Sequence, residues 1–275
     1  MLAREPAQSD QTSGVTLNMK STSLALAIAL ALGSTGAMAD SGKSSKGNGA
    51  GSACKALATA LGTTTNGLHA TLTDALETAV AAESTGLDLE MWATLVNRDG
   101  IVCAVAFSGN DRGQQWPGSR VISAQKANTA NAFSLDGLAL STANLYSAVQ
   151  PGGSLFGLQE SNPVDTEVAY KGPAKHFGKK QDPMVGEAIG GVNVFGGGLA
   201  LYRTDHRVVG GLGLSGDTSC ADHNIAWRVR NELGLDNLDG VGGVGHPTCL
   251  NSDGAGGSDA AASQAIADAL PSADH

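Results

Sequence analysis

The sequence predicts an α+β domain, with one largely antiparallel sheet and helices packed on it. Three observations predict it. Leu68, Leu72, Leu76 and Val80 recur every four residues, the mark of a helix with one buried stripe. Two pairs of apolar segments, 89–97 with 101–107 and 192–203 with 207–214, are each joined by a short polar turn. Helical stretches follow both pairs, so the order is helix, two strands, helix, two strands, helix.

Ala75 and Ala79 flank the leucine stripe, giving a helix over 67–83 with Asn66 as its N-cap. Residues 89–97 (LEMWATLVN) and 101–107 (IVCAVAF) read as strands apolar on both faces. Asp99-Gly100 between them is a hairpin signal, because glycine accepts positive φ without steric cost. Such strands need cover on both sides, from helices or from another subunit, so a homo-oligomer is expected. Residues 119–133 (SRVISAQKANTANAF) contain no glycine or proline and form the next helix. A short helix lies within 138–149, stopped by Pro151-Gly152-Gly153. From 150 to 188 the pattern is irregular, with Pro151, Pro163, Pro173 and Pro183 spread through it. A segment that long is a functional loop or a wrapping one. The second hairpin turns at Asp205-His206. The last helix, 221–233, buries Ile225, Val229 and Leu233, and Ser219-x-x-Asp222 before it resembles a capping box.

The N-terminal stretch reads as an address. Met19-Lys20, the apolar run 24–32 (LALAIALAL) and Ala37-Met38-Ala39 form a secretory signal peptide pattern, with residues 1–18 upstream of it. The run is too short for a lasting membrane anchor, so no membrane association is expected after cleavage. Residues 40–53 read as a flexible leader, 54–250 as the domain and 251–275 as a flexible tail. The expected location is periplasmic or secreted. A net charge of −9 makes nucleic acid a poor partner.

Export decides how the cysteines read. Cys54, Cys103, Cys220 and Cys249 are an even set, which an oxidising compartment turns into two disulfides. Three pairings are open, and Cys220–Cys249 is the favoured pair. Cys220-Ala-Asp-His223 and His246-Pro-Thr-Cys249 also have zinc-ligand spacing, a use that export disfavours. No C-x-x-C-H occurs, so covalent c-type haem attachment is not expected.

Three stretches together resemble the GlcG/HbpS-like (DUF336) haem-binding family. They are NRDG at the first hairpin turn (97–100), the helix motif Lys126-Ala127-Asn128-Thr129-Ala130, and the glycine-rich pair GGVNVFGGGLALY and VVGGLGLSGDT within 190–218. The match covers about residues 67–235. The resemblance implies a profilin-like α+β fold, self-assembly, and haem or corrinoid binding in some members. It implies no settled enzyme activity. The chain departs from the compact family pattern in the 150–188 insertion, the CADH start of its last helix and the cysteine-bearing C-terminal extension.

Lys126 and Thr129 share a helix face. On the resemblance that face borders the ligand pocket, where Lys126 pairs a propionate or another carboxylate and Thr129 places a hydroxyl near a metal centre; the alternative is a solvated face. Arg120 and Ser123 are further candidates on this helix. Gly196-Gly197-Gly198 permits close backbone approach or a strand bulge. Asp217, in the turn before the last helix, marks either an anion site or a cap. His223 is a candidate haem or zinc ligand, or else a polar residue on an exposed turn. His176 sits in the basic patch 171–180 (KGPAKHFGKK), which suits propionates, an acidic partner surface or simply solvent. His69 and His206 read as surface residues. The resulting expectation is an exported haem- or tetrapyrrole-binding protein taking an anionic small molecule and serving iron handling or redox sensing. The alternatives are an enzyme acting on a small organic acid or carbonyl compound, with Lys126 and His223 near its pocket, and an oligomerisation module.

Overall fold

The computed structural model describes residues 49–243. Two short helices, α1 (Gly49–Ala53) and α2 (Lys55–Ala60), precede α3 (Leu68–Ala81). The first hairpin is β1 (Trp92–Asn97) and β2 (Val102–Phe107), followed by α4 (Ser119–Phe133). A two-residue strand, β3 (Leu138–Ala139), leads into α5 (Thr142–Val149). The long segment beyond holds two single-turn helices, α6 (Leu158–Ser161) and α7 (Thr166–Ala169), and a 3-10 turn at Ala174–His176. The second hairpin is β4 (Gly198–Tyr202) and β5 (Val208–Ser215), then come α8 (Ser219–Glu232) and β6 (Gly242–Gly243), which pairs with β3.

The four longer strands form an antiparallel sheet in the order β2-β1-β5-β4, so the two hairpins join through β1 and β5. Side chains alternate across a strand, and β1 uses both faces. Ala93 and Leu95 enter a core with Leu72 and Leu76 of α3 and Ile225, Trp227 and Val229 of α8. Trp92 and Val96 enter a second core with Val121, Ala124 and Ala127 of α4 and with Ala169, Met184 and Ile189. This is the α+β, profilin-like arrangement, with helices on both sides of one antiparallel sheet.

The second core corrects the reason given for self-association. Val164, Val168, Phe177 and Val185 of the long segment pack on that face, so the chain covers the β1–β2 hairpin by itself. The irregular 150–188 stretch is thus a wrapping segment. It is held to the sheet edge by Val102 N–H to Glu187 O (2.9 Å) and Gly186 N–H to Val102 O (2.8 Å).

Glycines on β5 explain how α4 sits on the sheet. A Cβ on Gly213 would lie 2.0 Å from the Ser123 carbonyl oxygen, and one on Gly211 would lie 2.2 Å from that of Ala127. Backbone therefore rests on backbone, which is why a strand this rich in glycine is fully buried.

Several local expectations change. The 192–203 strand begins only at Gly198, because the backbone before it binds side chains instead of a neighbouring strand: Asn193 N–H donates to Thr129 Oγ1 (3.0 Å), and Gly191 O accepts from Asn128 Nδ2 (2.9 Å). Gly67, with no side-chain cap, precedes α3 in place of Asn66. The cap of α8 is Thr218, whose hydroxyl accepts from Ala221 N–H, and no Ser219–Asp222 box forms. Residues 49–53 of the expected leader are helical, tied down by Asn97 Nδ2 donating to Ala53 O (2.9 Å). The signal peptide, residues 40–48, His246, Cys249 and the 251–275 tail lie outside the described residues.

Candidate functional site

Cys54 and Cys103 are disulfide-bonded across 49 residues, which staples the start of α2 to β2. On the neighbouring side, the first turn of α3 faces the segment that follows the 3-10 turn. Between them lies a cleft of about 620 Å³ lined by Cys54 and Thr65 on one wall, His69 at the start of α3, Cys103 and Ala104 of β2 beneath, and Lys179 and Lys180 beside it. Ala104 and Cys103 are buried, His69 is half-buried and both lysines are exposed.

His69 Nε2 lies 3.0 Å from the Gly178 carbonyl oxygen. A carbonyl only accepts, so Nε2 carries the proton and Nδ1 is the ring's lone-pair nitrogen. A metal-ligating histidine has this arrangement, with one nitrogen donated to a fixed acceptor and the other left to ligate. Among the described residues no group of three or more His, Cys, Asp or Glu is suited to a bare metal ion.

The residues singled out on α4 and near α8 go elsewhere, into the interior. Lys126 is buried and donates to Asp222 Oδ2 (2.6 Å) and Leu214 O (2.9 Å), which ties α4 to α8 and β5. Thr129 is buried, donating to Gln125 O and accepting from Asn193 N–H. The solvated-face alternative for this pair is therefore wrong: both side chains are internal struts. Ser123 bonds Thr94 within the same layer. Arg120 pairs with Asp182 on the long segment, away from Lys126. Asp217 accepts from Leu87 and Leu89 N–H (both 2.9 Å), so its carboxylate closes a loop, and Asp222 takes the Gly216 and Asp217 N–H groups. The turn before α8 is filled by the protein's own carboxylates. His223 is buried, contrary to an exposed turn; its Nδ1 accepts from Gly197 N–H (3.1 Å) and its ring meets Trp227 edge-on. Cys220 is disulfide-bonded, which removes the thiolate the zinc alternative needs; its expected partner Cys249 lies outside the described residues. His206 is exposed beside Asn237 O, and His176 is half-buried in the 3-10 turn.

Burial has a titration consequence at Asp222. It pushes the carboxyl up to about 6, although the Lys126 ammonium and two N–H groups pull the other way. In the unfolded chain the same group ionises near pH 4. The folded state thus holds the proton more tightly, and the stability this contributes is complete below about pH 4 and lost as pH rises through about 6. Wild type is expected to lose stability relative to Asp222→Asn as pH rises across that window. Urea unfolding of the two proteins at matched pH checks it; a difference that does not change with pH contradicts it.

The cleft residues are the ones the sequence did not single out as a set. His69 reads as a surface residue because it flanks the leucine stripe. Lys179 and Lys180 were visible only as part of a basic loop. The available signal was that loop itself, whose position over α3 depends on long-range packing.

Comparison with known proteins places these features in a family. The family model described as haem degrading protein HbpS-like matches residues 68–230. Among solved structures, PduOC in complex with haem is 25% identical, covering 59% of this chain and 89% of its own, with a TM-score of 0.40. Klebsiella pneumoniae protein ORFY, a DUF336 member, is 24% identical, covering 59% and 88%, with a TM-score of 0.40. HbpS is 14% identical, covering 59% and 84%, with a TM-score of 0.38. No curated protein matches the chain. With the family model spanning more than half of its residues, from the first turn of α3 to the last turn of α8, the chain belongs to the HbpS-like family.

Proposed function

We propose that the protein binds haem, or a closely related anionic tetrapyrrole, in the cleft beside α3. The observation that carries this is His69: an imidazole lining a cleft of about 620 Å³, with Nε2 donated to a backbone carbonyl. The description of the family model as haem degrading supports the same ligand. The residues present fit the group. The volume falls in the ordinary range for small-molecule sites, roughly 300–1,000 Å³. Val185 offers an apolar edge above the buried Ala104 and Cys54–Cys103 disulfide, His69 would hold the iron through Nδ1, and Lys179 and Lys180 would pair the propionates. When bound, haem supplies a redox-active iron whose behaviour is set by its axial ligand and surroundings.

An oxidising compartment belongs to this proposal, supported by the Cys54–Cys103 disulfide and by the disulfide-bonded state of Cys220. The enzyme alternative is not favoured, since it places Lys126 and His223 at a pocket and both are buried struts.

The test is titration with haem and with its dimethyl ester, which lacks propionate charge. Wild type is expected to bind haem saturably, near one per chain, and the ester more weakly. The double variant Lys179→Ala/Lys180→Ala is expected to bind haem roughly tenfold more weakly, the scale of exposed ion pairs, and to lose the preference over the ester. No saturable spectral change at micromolar haem overturns the proposal.

A further inference from the structure

We infer that Arg120 and Asp182 are positioning residues for His69, acting through Gly178 to fix which ring nitrogen faces ligand; this rests on the His69 cleft being the binding site. Arg120 comes from the first turn of α4 and is buried. Its Nε donates to Asp182 Oδ2 (2.8 Å), its Nη2 to Asp182 Oδ1, and its Nη1 to the Ala169 carbonyl (2.8 Å). The guanidinium also lies 3.8 Å from the centre of the Phe177 ring. Asp182, equally buried, accepts in addition from Gly178 N–H (2.7 Å) and Met184 N–H (2.9 Å). One ion pair therefore clamps 177–184 against α4.

Gly178 is the piece that transmits this. Its φ is +72°, and a Cβ there would lie 2.2 Å from Phe107 Cδ1 and 2.7 Å from Trp92 Cζ3. Its backbone is held by Asp182 on the N–H side and by two aromatic rings at Cα, and its carbonyl is aimed at His69 Nε2 (3.0 Å). Holding that acceptor fixes the imidazole tautomer. Lys179 and Lys180 follow directly, so the same clamp sets where the cationic side of the cleft begins.

A buried ion pair is a weak device for stability compared with apolar side chains of similar shape. What this one adds is geometry. Four N–H bonds converge on a single carboxylate, from Arg120, Gly178 and Met184, and the Gly178 carbonyl of the clamped loop meets His69 of α3.

The variants are Arg120→Lys, which keeps the charge but not the two-pronged bond, and Asp182→Asn, which keeps the shape. The first readout is the His69 tautomer in haem-free protein, from ¹⁵N NMR of the ring at alkaline pH. Wild type should show the Nε2–H form predominating, and both variants a mixture of tautomers. The second is haem titration, where affinity should fall about 10- to 100-fold, the usual loss when the partner of a ligating histidine is disturbed, with a shifted Soret band. A role confined to stability would lower the melting temperature and leave tautomer and spectrum unchanged, which overturns the inference. Should neither variant fold, the wild-type tautomer decides alone, since an Nδ1–H form contradicts the relay. Should wild type bind no haem, the haem proposal fails, while the tautomer shift still reports on the clamp.

Discussion

Gly213→Ala is expected to destabilise the protein by at least about 3 kcal/mol, the upper end of overpacking costs. The added methyl would lie 2.0 Å from the Ser123 carbonyl oxygen and 2.4 Å from the Ala127 amide nitrogen, both backbone atoms of α4. Neither belongs to a flexible side chain, so relief requires lifting α4 off β5. That displacement would also strain the Lys126–Asp222 pair and the Arg120–Asp182 clamp, since both begin on α4. Gly137→Ala is the control: nothing lies within 4 Å of its Cβ position. Chemical unfolding of both variants measures the difference. A Gly213→Ala protein within about 0.5 kcal/mol of wild type would show that α4 rests on side chains instead of backbone.

The second large effect is at the disulfide. Cys54→Ser/Cys103→Ser removes a cross-link spanning 49 residues, which chain entropy equates with about 4 kcal/mol. The loss should concentrate at α1 and α2, which the Asn97–Ala53 bond and the burial of Leu57 and Ala58 also tie to the sheet. Because both cysteines line the cleft, haem affinity should fall as well. Hydrogen exchange localised to 49–60, together with urea unfolding, checks both parts. A change below about 1 kcal/mol would mean that α2 is held without the cross-link.

Much of the fold was legible because its signals are local. The four-residue leucine repeat marks α3, and a run free of glycine and proline gives α4 its observed limits. Asp99-Gly100 marks the first turn, with Gly100 at φ +75°. Strands apolar on both faces were also legible, but not what covers them: the sequence allows a helix, a loop or a second subunit, and the covering elements include Met184 and Ile189, about eighty residues on. The same distance effect hid the site. Lys126 looks like a pocket or surface lysine until Asp222, 96 residues later, is placed beside it. His69 looks unremarkable until Gly178, 109 residues later, accepts a hydrogen bond from its Nε2–H. Cysteine pairing was open for a similar reason, since Cys54 meets Cys103 across 49 residues, with α3 packed along β2 between them in sequence.

The most direct test compares haem titrations of wild type and His69→Ala, followed in the Soret region at equal protein concentration. Residue 69 is half-buried beside the cleft, and alanine there suits the first turn of α3, so the fold should survive. Wild type is expected to saturate near one haem per chain with a histidine-ligated spectrum. His69→Ala is expected to lose at least about tenfold in affinity and the histidine-ligated band with it. Superimposable titrations, with the same band position and the same midpoint, would contradict the assignment of this cleft as the haem site.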